Sequence, residues 1–146
     1  MASAKDFFSE AEQETIVSAI RAAELHTSGE IRVHADNRCD GDVYQRAQKV
    51  FQHLHMDRKP FKNAVLIYVA VKDKKFAIIG DEAIHTKVGD TYWHSISNEL
   101  QAHFKNGNFT LGITTTIATL GNTLAQYFPD IDELEKNSLP DDLSFE

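Results

Sequence analysis

The chain has 146 residues, 42% of them hydrophobic and 25% charged, with a formal net charge of −7. This is the composition of one ordinary globular domain; it excludes a disordered chain, and the lack of a basic surplus excludes a nucleic-acid footprint. The tail 129–146 holds seven acids against Lys136, a charge of −6, which leaves −1 on the rest.

Cys39 is the only cysteine, so no intrachain disulfide forms and a reducing compartment is suitable. The first residues lack the apolar segment of a signal peptide. No apolar run reaches the roughly 18 residues that a membrane span needs. A cytoplasmic monomer with no membrane span and no nucleic-acid partner is the expectation.

Taken from the N-terminus, Ser9-Glu-Ala-Glu12 has the S-x-x-E form of a capping box. Ile16, Ile20 and Ala23 follow at helical spacing, which predicts a helix over 11–26, ended by Thr27-Ser28-Gly29. Residues 30–36 alternate as a strand does, with Ile31, Val33 and Ala35 on one face and Glu30, Arg32 and His34 on the other. Internal pairing is the expected use of that charged row, with His34 a hydrogen-bonded structural histidine. Asp42 reads as the cap of a helix bearing Val43, Ala47, Val50 and Leu54 on one stripe. The loop 55–62 then carries Asp57 and Pro60.

Residues 64–71 are apolar and rich in β-branched and aromatic side chains, which suits a strand buried on both faces. Lys72-Asp73-Lys74-Lys75 is a polar turn, and 76–79 is a second strand. So short a link makes the pair antiparallel. Gly80-Asp81-Glu82 opens what reads as a polar loop running to Gly89-Asp90. Asp90 or Thr91 then caps a third helix with Trp93, Ile96, Leu100 and Phe104 on one face, closed by Gly107. A fourth helix is expected over 110–128, stopped by Pro129. Residues 1–128 form the expected single domain. The tail 129–146 is expected to be an acidic, flexible extension, with Leu139 and Phe145 as docking points.

The order α-β-α-β-β-α-α predicts an α/β fold: a three-layer α/β/α sandwich with a small mixed central sheet. In that topology the end of the third strand lies beside the start of the first strand and the loop before the second. Asp81, Glu82 and Asp90 therefore converge with Glu30 and Asp57. Hard divalent cations want oxygen ligands, about six to eight for Ca²⁺. Gly80 and Gly89 leave the loop free to bend around an ion. The plain alternative is a set of surface acids, with Asp90 a helix cap.

Asp36, Asp40 and Asp42 around Cys39 form a second acidic group at the opposite end of the sheet. The seven histidines show no zinc spacing, and His85 alone lies in the acidic loop. Cys39 reads as structural, with no base placed to make it a nucleophile.

These motifs, in this order, resemble those of stand-alone TPM domains. The matching features are the capped first helix, the strand TSGEIRVHA, the helix after Gly41-Asp42, and NAVLIYVAV followed by KDKKFAIIGDEAI. The helix after Asp90-Thr-Tyr-Trp and the segment FKNGNFTLGI complete the resemblance, which covers roughly 9–128. It implies an α/β/α sandwich with an acidic divalent-cation site in its loops. It also implies phosphatase chemistry, from a plant member described as an acid phosphatase. Relatives commonly carry an export signal and often a membrane anchor, and neither is evident here.

Two functions stand as expectations. The first is a metal-responsive binding or regulatory module holding Ca²⁺ or another hard divalent cation through Asp81, Asp90, Glu82, Glu30 and Asp57, with an unidentified protein partner left open. The alternative is a metal-assisted acid phosphatase acting on phosphomonoesters. Binding is favoured, because no D-x-D-x-T/V motif, C-x5-R loop or glycine-rich phosphate cradle is present. Only Arg58, Lys59 and Lys87 are available near the acids to hold a phosphate.

Overall fold

The computed structural model describes residues 7–130 and 143–145. Helix α1 (Glu10–Glu24) begins on the capping box: Glu12 N–H donates to Ser9 Oγ at 3.1 Å, and Ser9 N–H to Glu12 Oε1 at 3.0 Å. Strand β1 (Glu30–Asp36) leads to α2 (Val43–His53), whose Asp42 cap accepts from Gln45 N–H. A 3₁₀ turn (Met56–Arg58) precedes β2 (Ala64–Ala70), and β3 (Lys75–Gly80) returns antiparallel to it. Helices α3 (Glu82–Lys105) and α4 (Phe109–Tyr127) follow, and a three-residue strand β4 (Leu143–Phe145) comes last.

The sheet order is β3-β2-β1-β4. β1 and β2 are parallel, with Glu30 opposite Ala64; β3 puts Gly80 opposite Val65. Ile31, Val33, Val65, Ile67, Val69 and Ile78 pack against α1, α3 and α4, including Ile16, Ile20, Ile96, Leu100, Ile117 and Leu124. Leu66, Tyr68, Ala70 and Ala77 pack on the other face against Ala47, Val50 and Phe51 of α2 and against Met56. The result is the expected three-layer α/β/α sandwich around a mixed sheet. Every residue of β2 is buried, which is why its sequence is apolar without alternation. No helix among the described residues is long and apolar enough to cross a membrane.

One expectation needs correction. The stretch after Gly80 is not a loop. Helix α3 starts at Glu82, with Asp81 Oδ1 accepting from Glu82 N–H at 2.8 Å, and is interrupted only at Gly89 (φ 76°). Ile84 is buried in the core, with Val88 packed against it one turn on. That i, i+4 pair was the helical signal, masked by the polar residues around it. Asp81 and Asp90 are thus separated by two turns of helix, and do not bracket a pliable segment.

The end of the tail docks on the sheet, at one of the two expected points. Residues 143–145 form a parallel strand on β1, with Val33 opposite Leu143 and Ala35 opposite Phe145. Leu139 lies outside the described residues. Nearer the body, Ser28 N–H donates to the Phe128 carbonyl at 3.0 Å, which ties the end of α4 to the start of β1.

Candidate functional site

The Gly80 end of β3 is built by close packing. Asp81 N–H donates to the Ala64 carbonyl, and Ala83 N–H to the Lys62 carbonyl, so the first turn of α3 is fastened to the chain entering β2. The Trp93 ring lies against Gly80 so closely that a Cβ on Gly80 would sit 2.4 Å from it. The indole N–H donates to His85 Nδ1 at 3.0 Å. This bond assigns the His85 proton to Nε2, which faces Asp90 Oδ1 at 3.6 Å. A cleft of about 330 Å³ opens here, bounded by Tyr44 and Gln48 of α2 and by His85, Trp93 and His94 of α3.

Gly80→Ala is expected to displace the Trp93 ring and lower stability by about 2 kcal/mol, in the range of overpacking. Trp93 is the only tryptophan. Its emission should shift to the red in the variant; an unchanged spectrum and unchanged stability would show that the ring contact is slack.

The expected ion ligands stand as follows. Asp81 uses Oδ1 as the helix cap, while its Oδ2 is buried and finds no hydrogen-bond partner among the described residues. Glu82 and Asp90 are exposed. Glu30 is 1% exposed and held by Lys59 Nζ at 2.6 Å. The Asp57 side chain is exposed, and its carbonyl accepts from Lys62 Nζ. Topology therefore places these segments at one end of the sheet as expected. Yet no three His, Cys, Asp or Glu side chains among the described residues are grouped so that they could share an ion.

At the other end, Asp36 receives His34 Nε2 at 3.0 Å, Arg46 Nε at 2.8 Å and the Tyr68 hydroxyl. Burial pushes its carboxyl upward, but the bonds from His34, Arg46 and Tyr68 together hold it well below the usual carboxylate range. Tyr68 is pushed far up by burial and by the Asp36 charge. Asp42 is occupied as a helix cap, and Asp40 is exposed. The second acidic group is thus dispersed. Cys39 is buried, and Asp73 receives its N–H at 2.8 Å.

Sequence reasoning missed the cleft residues Tyr44, Gln48, Trp93 and His94. The available signal was Trp93 and Gly80: a bulky ring and a residue without a side chain are natural partners, but nothing local says that they meet.

A family model described as the TPM domain matches residues 2–123. The BA42 protein from the psychrophilic bacterium Bizionia argentinensis, solved by NMR, is 44% identical over 99% of both chains, with a TM-score of 0.87. The N-terminal domain of a P. gingivalis protein superposes with a TM-score of 0.70 at 15% identity, over 86% of this chain and 83% of that one. The N-terminal domain of the Corynebacterium glutamicum cg2496 protein does so at 0.63 and 16% identity, over 80% and 74%, and these two likenesses concern the fold alone. No curated protein matches significantly. With its family model covering most of the sandwich, the chain belongs to the TPM domain family.

Proposed function

We propose that this TPM domain acts by binding, not by catalysis, and that it receives a hard divalent cation, Ca²⁺ or a similar ion, at Asp81. The supporting observation is Asp81 Oδ2, buried without a partner among the described residues. A charged oxygen held from water without a donor costs about 1–3 kcal/mol or more. A cation beside it removes that penalty. The fit is partial: with no group of three candidate ligands assembled, Glu82 would join Asp81, Asp90 lying two helical turns away, and carbonyls and water would complete the shell. Glu30 is already neutralised by Lys59 and is not required.

A phosphatase reading draws less support from the same residues. Lys59 is committed to Glu30, Lys62 to the Asp57 carbonyl, and Cys39 is buried at the opposite end of the sheet, bonded through its N–H to Asp73. Of the cations named from the sequence, that leaves Arg58 and Lys87, both exposed.

Thermal unfolding of EDTA-stripped protein with and without Ca²⁺ tests the reading. At a hundredfold excess over Kd, binding to the folded state adds about 2.7 kcal/mol. Asp81→Asn is expected to lose most of that gain. Its fold should persist, since asparagine serves as a helix cap as well as aspartate does. An equal rise in both proteins, or none in the wild type, would reject the site.

A further inference from the structure

β3 is an outer strand: β2 lies on one side, and no strand among the described residues lies on the other. Asp81 N–H donates to the Ala64 carbonyl across the ladder. Counting back in twos, the N–H and C=O groups of Lys75, Ala77 and Ile79 face β2. Those of Phe76, Ile78 and Gly80 face outward. Such an open row is a template for one more strand.

The surroundings of that edge are shaped for it. The cleft beside Trp93 continues into a second one of about 290 Å³, and the two share Tyr44. Together they follow β3 from Lys75 to Gly80, with Tyr44 of α2 on one wall and Trp93 and Ser97 of α3 on the other. The two helices cover opposite faces of the sheet. A trough walled on both sides admits a single extended segment. It disfavours the edge of a second sheet that carries helices of its own.

Charge sets the direction. Lys74 and Lys75 are exposed where β3 begins, and Asp90 is exposed where β3 ends. We propose that this trough takes an extended peptide of a partner protein as an added strand, antiparallel to β3. Its N-terminal end would be basic, facing Asp90, and its C-terminal end acidic, facing Lys74 and Lys75. Apolar side chains at alternate positions would rest against Trp93 on one wall, and the side chains between them would face Tyr44 on the other. Main-chain bonds to Phe76, Ile78 and Gly80 supply affinity, and the charged ends supply orientation.

The test is an NMR titration of the full chain, in EDTA so that no metal is involved. The probe is a synthetic peptide of two lysines, the alternation Val-Thr-Val-Thr-Val and two glutamates, blocked at both ends. Saturable shifts are expected at the amides of Phe76, Ile78 and Gly80 and at the Trp93 indole, with slowed hydrogen exchange at those amides. Lys74→Glu combined with Lys75→Glu is expected to weaken binding about tenfold, as two reversed surface charges do. N-methylation of alternate peptide amides should abolish binding on one edge of the peptide and spare it on the other. The idea fails if millimolar peptide gives no saturation, if the shifts centre on β1, or if methylation of either edge is tolerated. It fails equally if a peptide of reversed sequence binds as well, or if the free protein self-associates through β3 and so buries the trough.

Discussion

Replacing Lys59 by methionine is expected to lower the unfolding free energy by about 3–5 kcal/mol, the cost of leaving one member of a buried pair alone. The Lys59 and Glu30 side chains are 8% and 1% exposed, and their charged atoms are 2.6 Å apart. The substitution keeps the aliphatic stem but removes the ammonium facing a carboxylate that has no access to bulk water. Glu30 then lacks the ammonium that faces it in the wild type. Adding Glu30→Leu in the same chain is expected to restore most of the loss, because an apolar pair of similar volume escapes the desolvation penalty. Urea unfolding of the wild type, the two single variants and the double variant gives the coupling energy. A coupling near zero would mean that water reaches the pair.

Asp36→Asn is expected to cost about 3 kcal/mol near neutral pH, the lower end of that same range. The lower end applies because Arg46 is 32% exposed and can turn its charge to solvent once Asp36 is neutral. The variant should also change the response to acid. The Asp36 carboxyl is held below its unfolded value by His34, Arg46 and Tyr68, against the opposing effect of burial. Its contribution is therefore fully present above the unfolded carboxyl value of about 4, and is lost progressively as pH falls below it. Glu12 is also depressed, by the Ser9 backbone and then by Thr110, and adds a loss of the same sign. Stability measured from pH 7 down to pH 3 should fall less steeply in Asp36→Asn than in the wild type, without becoming flat. Parallel curves would show that Asp36 does not carry the acid sensitivity.

The two networks differ in how they stood in the sequence. His34 as a structural histidine, and the charged face of β1 as an internally paired row, were legible from strict alternation: polar side chains on a covered face must find partners. The identity of those partners was not. Asp36 read as a member of an acidic group with Asp40 and Asp42, but Arg46, one turn into α2, claims it. Glu30 read as an ion ligand, but Lys59 claims it across 29 residues of chain.

The sequence by itself determined the elements whose causes are local. The Ser9–Glu12 box, the Asp42 cap, the unbroken apolar run of β2 and the short turn into β3 each follow from bonds within a few residues or from a repeat of 2 or 3.6. The strand directions then placed Asp81 at the same end of the sheet as Glu30. Only the tertiary structure decided what happens there: that residues 82–88 are helical, that Trp93 lies on Gly80, that Lys59 neutralises Glu30, and that a strand from the tail covers β1 while no strand among the described residues covers β3. These outcomes depend on which side chains come within 3 to 4 Å across distant segments. Periodicity reports the face of an element a residue occupies, but not the atom that stands opposite it.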